Sequence, residues 1–375
     1  MPPPSSSTAP SLSDVAADTV RAQPAPAGGV TMKRVAAELG VSVTTISKVL
    51  NNHADIGEAT RQRVLAKVEE LGYRRNAVAR SLTLRRTHTL GVIVSDLMHS
   101  FFVEVVAAIE ASLCSRGYGL LLCNLGEDPA KERWQLEMLL ERQVDGVILA
   151  SANAQKNGDL LRSLQDQGKG LVLIDRDDHQ GLRCHRVVTD DERVGRLATS
   201  HLVALGHQRI AHLSGPRLVH ARRRHRGYLA SMRQGGLAVD GRWVVEAGFV
   251  EQDGYDAARR LLARAPEVTA IFAVSDPAAI GAMKAAWDLG LRVPEDIAVV
   301  GAGDIAHGDL LRVPLTTVSW SRDDLGREAA RLIIDQIEAH PDGPFHRVVV
   351  PPSLRVRASC GATADDEPSA RPAIV

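Results

Sequence analysis

Residues 30–82 read VTMKRVAAELGVSVTTISKVLNNHADIGEATRQRVLAKVEELGYRRNAVARSL, and the organisation of the chain turns on them. Thr31 is placed to cap a helix in which Val35 and Leu39 recur at i and i+4, and Gly40 marks its end. Val41-Ser42 forms a turn, and Ser42 caps a second helix from Val43 to Leu50. Ile46, Val49 and Leu50 then face the first helix, leaving Val43, Thr44, Ser47 and Lys48 outward. A third amphipathic helix, about Ala59 to Leu71, brings Val64, Leu65 and Val68 to close a three-helix core. This is helix-turn-helix patterning, in which the first residues of the second helix meet base edges in the major groove. A small helical domain with no DNA role fits the same pattern.

Charge bears on the same question without settling it, since a basic run is more often a solvated face. The 375-residue chain has a formal net charge of zero. Between Val30 and Arg86, however, eleven Lys/Arg stand against Glu38, Asp55, Glu58, Glu69 and Glu70. A basic module on an acidic body is the footprint of a nucleic-acid reader. The length implies two or three domains, and 24% charged residues are ordinary for a globular protein. No apolar run is long enough to span a bilayer. Residues 1–28 are rich in Pro, Ser and Ala, with Arg21 their only basic side chain, and read as a disordered cytoplasmic tail. Cys114, Cys123, Cys184 and Cys360 show no pairing or metal-ligand spacing and read as reduced thiols.

From Thr89 onward apolar runs alternate with amphipathic helices. The runs are 90–96, 119–124, 145–151, 170–175, 210–215, 270–276 and 297–303. Continuous Val/Ile/Leu strands separated by helices mean parallel sheets covered on both faces, with ligands at the carboxyl ends of the strands. The chain has no phosphate-cradling P-loop and no Gly-x-Ser-x-Gly elbow, and its 13 histidines form no triad or His-Glu-x-x-His arrangement. No catalytic residue, metal or cofactor is expected.

Many fixed spacings within 30–82 agree in one order: V-A-x-x-x-G-V-S-x-x-T-I-S-x-V-L-N, then T-R-x-x-V, then G-Y-x-x-N-x-x-A-x-x-L. In these the stretch resembles the head of the lactose-repressor/galactose-repressor (LacI/GalR) family, and the likeness continues at lower density to about residue 358. One departure is Arg34, where the family usually has Asp. The resemblance implies an all-α helix-turn-helix head and an α/β two-lobe, periplasmic-binding-protein-like body with parallel sheets. It implies a sequence-specific DNA-binding regulator, most simply a repressor, that binds a palindromic operator as a homodimer under control of a sugar-like effector. Its DNA contacts would come from Thr31, Ser42, Val43, Thr44, Thr45, Ser47, Lys48 and Asn51. A hinge that folds on DNA would add Asn76, Ala79, Arg80 and a minor-groove wedge, Leu82. Such a hinge is too short to be a stable helix alone in water.

The division expected is a head at 29–75, a hinge and linker at 76–87, and an effector-binding body at 88–360, followed by a second disordered tail, 361–375. Lobe one would take about 88–187 and 318–345, and lobe two about 188–317 and 346–359. The tail from Gly361 to Val375 lacks leucine heptads, so a dimer is expected rather than a coiled-coil tetramer. The resemblance places Phe102, Ser151, Arg176, Arg224, Phe249, Ser275 and Asp276 at the effector. Each has a bland alternative, Phe102 as core and Arg224 as a surface helix charge. Two positions depart from the sugar-binding pattern: Ser275 replaces a common Asn, and Gly303 replaces the first Asp of a Gly-[FY]-Asp-Asp signature, with Asp304 keeping the second. Together with Arg176, Arg222, Arg223 and Arg224 these departures admit an anionic effector. A free-standing solute-binding protein would share the two-lobe body but lacks a reason for the basic head.

Overall fold

The computed structural model describes residues 30–73, 81, 86–98, 100–126, 128–151, 156–176, 181–339 and 343–362. The head is three helices: α1 (Met32–Leu39), α2 (Val43–Leu50) and α3 (Glu58–Glu70). Thr31 Oγ1 accepts from the Arg34 N–H at 3.4 Å, and Ser42 Oγ accepts from the Thr45 N–H at 3.0 Å. Gly40 ends α1 with φ of 63°, the left-handed conformation glycine adopts without strain. Val35, Ala36, Ile46, Val49 and Val64 form the buried centre, with Leu39, Leu50 and Val68 packed at its edge. Leu65, expected in that core, is 43% exposed. One helical residue turns the side chain by about 100°, and Val64 already occupies the inward position.

The body contains two six-stranded sheets. The first is built from β1 (Thr89–Val94), β2 (Gly119–Asn124), β3 (Gly146–Leu149), β4 (Gly170–Ile174), β5 (His185–Thr189) and β11 (Arg347–Val350), in the order β11-β5-β4-β3-β1-β2, all parallel. The second is built from β6 (Ile210–Ser214), β7 (Val244–Glu246), β8 (Ala270–Ala273), β9 (Ala298–Ala302), β10 (Thr316–Ser319) and β12 (Ser353–Arg355), in the order β12-β10-β9-β8-β6-β7. Its edge strand β12 runs antiparallel to β10, a departure from the all-parallel expectation. Central strands β3, β4, β8 and β9 are buried at every residue, as sheets covered on both faces require.

Helices α4 (Ser100–Ser115), α5 (Pro129–Glu141), α6 (Gly158–Asp166) and α11 (Arg322–Glu338) cover the first sheet. The second is covered by α7 (Asp191–Ala204), α8 (Val219–Gln234), α9 (Glu251–Arg264) and α10 (Asp276–Asp288). The chain passes between lobes three times: from β5 to α7, from β10 to α11, and from β11 to β12. The expected boundaries need one correction here. Residues 346–359 were assigned to lobe two, but β11 pairs with β5 in the first sheet, in register from Arg347↔Arg186 to Val350↔Thr189. The third crossing therefore lies after Val350, because β11 finds its ladder partner at the edge of lobe one.

The lobe-two helices pack as two close pairs. A Cβ on Gly195 of α7 would lie 2.0 Å from the Arg224 carbonyl, and one on Gly227 of α8 would lie 2.1 Å from the Glu192 carbonyl. Gly254 and Gly281 make the same reciprocal approach between α9 and α10. These backbones touch with no room for a methyl group, which fixes where α8 delivers its side chains. Gly227→Ala is therefore expected to destabilise the body by about 1–3 kcal/mol through overpacking. Gly158→Ala, whose Cβ meets only the Arg162 guanidinium at 3.9 Å, should leave stability nearly unchanged. Urea unfolding of the two variants makes the comparison, and equal midpoints would contradict the packing account.

Candidate DNA-reading face and interlobe cleft

On α2 the first turn stands in solvent: Val43 is 40% exposed and Thr44 is exposed. Its neighbours are partly committed. Thr45 and Ser42 share a hydroxyl–hydroxyl bond at 2.9 Å, and Asn51 Nδ2 donates to Ser47 Oγ at 3.4 Å. Lys48 Nζ, expected to point freely outward, pairs with Asp55 at 2.5 Å. Arg61 of α3 reaches back to Asn52 Oδ1 at 2.5 Å and the His53 carbonyl at 2.7 Å, holding the loop that follows α2. Nothing in the local pattern of α3 marked that role. The result is a helix whose N-terminal turn offers a methyl-rich surface and a hydroxyl, braced from behind by polar bonds. Such a surface suits base edges in a major groove. Asn76, Ala79, Arg80 and Leu82 lie outside the described residues. Where the body begins, Asp145 accepts from the Thr87 and His88 N–H groups at 2.9 and 2.8 Å.

In the body, Arg224 is 5% exposed and fully employed. Its Nε and Nη2 reach Asp191 Oδ1 at 3.0 Å, its Nη1 donates to the Val274 carbonyl at 2.7 Å, and its guanidinium lies 5.0 Å from the centroid of the Trp320 ring. Four elements meet there: the start of α7, helix α8, the end of β8, and the β10–α11 crossing. Burial pushes the Asp191 carboxyl up to about 6, against the pull of Arg224. Phe101 packs on the same indole with ring centroids 5.9 Å apart and on Phe102 at 5.0 Å, so α4 brings Phe101 to the crossing with Phe102 behind it. Arg176, after β4, is buried. It exerts its field on His220, as do Arg224 and Arg223. His220 packs on Phe249 with ring centroids 5.0 Å apart. Arg176, Arg224 and Phe249 are thus brought together, while Arg222 stands exposed.

Asp276 reaches its place because Ser275-Asp-Pro turns the end of β8 into α10, with Ser275 Oγ capping the Ala278 N–H at 3.3 Å. Both carboxylate oxygens are occupied: Oδ1 by the Thr317 hydroxyl at 2.6 Å and Oδ2 by the Ile305 N–H at 2.7 Å. Burial pushes this carboxyl up to about 6 in spite of those donors. Gly303 has φ of 133°, a conformation that an aspartate would adopt only under strain. Arg322 donates to the Gly303 and Asp304 carbonyls and approaches Glu104 of α4 at 3.4 Å, linking the two lobes. Ser151 donates to the buried carboxylate of Glu132, whose other oxygen accepts from Asn157 Nδ2 at 3.0 Å.

His220, Trp320, Arg322 and Glu132 were missed from the sequence. Each sits in an ordinary helical or turn pattern, and only the fold gives it its partners. Among the described residues no group of His, Cys, Asp or Glu is arranged to hold a metal ion, and no helix is long and apolar enough to cross a membrane.

Comparison with known proteins agrees with this geometry. Residues 31–76 match the family of bacterial regulatory proteins of the lacI type, and residues 87–352 match periplasmic binding proteins and the sugar-binding domain of the LacI family. The HTH-type transcriptional repressor PurR of Haemophilus influenzae (strain PittEE) is 35% identical over 335 residues, covering 88% of this chain and 98% of that protein. PurR of Pasteurella multocida (strain Pm70) is 34% identical at the same coverage. Among solved structures, the lac repressor dimer bound to operator and the anti-inducer ONPF superposes with a TM-score of 0.80 at 27% identity, over 89% of this chain and all of that one. The transcriptional regulator CelR in complex with cellobiose gives 0.67 at 32% identity, over 88% and 99%. This chain therefore belongs to the LacI family and is a DNA-binding transcriptional repressor, not an enzyme.

Proposed function

We propose that this repressor binds a palindromic operator as a homodimer in the cytoplasm and releases or grips it according to a sugar-like small molecule held between the lobes of its body. The observation that carries the DNA half is the exposed first turn of α2, with Val43 and Thr44 presented by a helix braced from behind. Thr31, Ser42, Thr45, Ser47, Lys48 and Asn51 surround that turn and serve as backbone-positioning and base contacts. The hinge residues Asn76, Ala79 and Arg80 with the wedge Leu82 follow from the family resemblance. The effector half rests on groups from both lobes, Phe102 and Arg176 from one and Arg224, Phe249, Ser275 and Asp276 from the other, while Ser151 follows from the family resemblance. A ligand controls DNA binding only by binding one arrangement of the lobes better than the other, and a cleft between lobes gives it that leverage. The solved dimer of the lac repressor on its operator supports the homodimer.

Three measurements test this reading. Thr44→Ala should lose about 1–3 kcal/mol of discrimination between operator and random DNA in salt-controlled anisotropy titrations. Equal loss on both would move Thr44 to phosphate contact. Light scattering should give a dimer at micromolar concentration, and a stable tetramer would contradict it. Arg224→Ala leaves Asp191 buried without its ion-pair partner, so the ligand-free body should lose about 3–5 kcal/mol of stability. An unchanged melting temperature would mean that Arg224 serves the ligand alone.

A further inference from the structure

Two buried polar atoms at the cleft have no hydrogen-bond partner among the described residues: Nδ1 of His220 and Nε1 of Trp320. Each residue is 5% exposed. Buried polar groups are normally paired, so two unpaired ones around one guanidinium call for a partner from outside the chain. Arg224 is that guanidinium, lying on the Trp320 ring and acting on His220 through its charge. Burial first, then the fields of Arg176, Arg224 and Arg223, hold the imidazole well below its ordinary pKa, so His220 is neutral near pH 7.

Three carboxylate oxygens nearby are already committed, Asp191 Oδ1 and both of Asp276. Asp191 accepts from Arg224, and Asp276 accepts from Thr317 and Ile305. A neutral polyol would bring hydroxyl protons to a place where most carboxylate oxygens already accept. A carboxylate or phosphate brings acceptor oxygens alone, together with a negative charge that the arginines favour. Building on the cleft as effector site, we infer that the effector carries an acidic group received by the Trp320 indole N–H and the His220 imidazole under the field of Arg176 and Arg224. His220 and Trp320 are then the residues that select an acidic effector over its neutral counterpart.

The test uses the full chain. Its melting temperature is followed against inorganic phosphate and against acetate, with chloride holding ionic strength constant, and then against glucose 6-phosphate, glucuronate and glucose. At least one of the two simple ions should give a saturable rise, since a ligand of the folded state raises its melting temperature. Whether phosphate or acetate does so separates the phosphorylated from the carboxylic source. Trp320→Phe keeps an aromatic ring facing Arg224 and Phe101 but lacks the N–H, and should weaken the effective ion about tenfold or more. His220→Phe, which fills the same place without a ring nitrogen, should do the same. No saturable rise with either ion, an equal rise in the parent and both variants, or stabilisation by glucose matching that by the two acids would each overturn the inference. Operator binding by the same parent preparation is measured in parallel. Its loss counts against the regulator reading, whereas its retention beside a failed ion titration removes the acidic effector alone.

Discussion

The buried pair between Arg224 and Asp191 is the interaction on which the body depends. Asp191 lies in the first turn after the chain enters lobe two, and Arg224 lies on the helix pressed against it. The pair can form only because α7 and α8 approach until Gly195 and Gly227 meet the opposite backbone. With that approach made, the guanidinium reaches two further elements, the Val274 carbonyl at the end of β8 and the Trp320 ring on the second crossing. Burying two charges is expensive unless each remaining hydrogen-bonding position is met. Here the fork of the arginine meets a carboxylate and a carbonyl, and its face meets an aromatic ring.

That economy shapes the cleft. Each lobe contributes a carboxylate or a guanidinium at the carboxyl ends of its strands, but the carboxylates are spent inside the protein. Asp276 ties the 303–305 loop to β10 and α10, and Arg322 ties the same loop to α4 across the lobes. A change at this loop is thus mechanically connected to the crossing that carries Trp320. The groups left over are donors and aromatic faces, and this excess sets the chemistry of whatever enters.

The head follows a different rule. Its core is small, five buried residues with a partly covered rim, and it gains rigidity from caps and polar braces. Bracing by Arg61 and by the Lys48–Asp55 pair leaves Val43 and Thr44 standing clear on α2. Exposed ion pairs of this kind contribute little to stability and more to the placement of side chains.

Local physics was written plainly in the sequence. The caps Thr31 and Ser42, the left-handed Gly40 and the i, i+4 spacing of Val35 and Leu39 fix short-range conformation, so the three head helices could be read within one residue or so. Long apolar runs likewise announced β1, β3, β4, β8 and β9, because strands buried on both faces need no alternation. Of the strands not singled out, β7, β11 and β12 are short edge strands whose half-exposed residues blur the pattern, while β5 and the fully buried β10 carry Thr, Ser, His or Arg among their apolar residues. That β11 joins lobe one, that Leu65 turns outward, and that Arg224 is held by Asp191 all depend on packing between segments far apart in the chain. So does the placing of Trp320 against Arg224, 96 positions away. The sequence by itself determined the family, the head and the alternating body, because those rest on contacts within a turn or a strand. Only the tertiary structure decided which polar groups at the cleft are spent and which remain, because hydrogen-bond satisfaction is a property of the assembled neighbourhood.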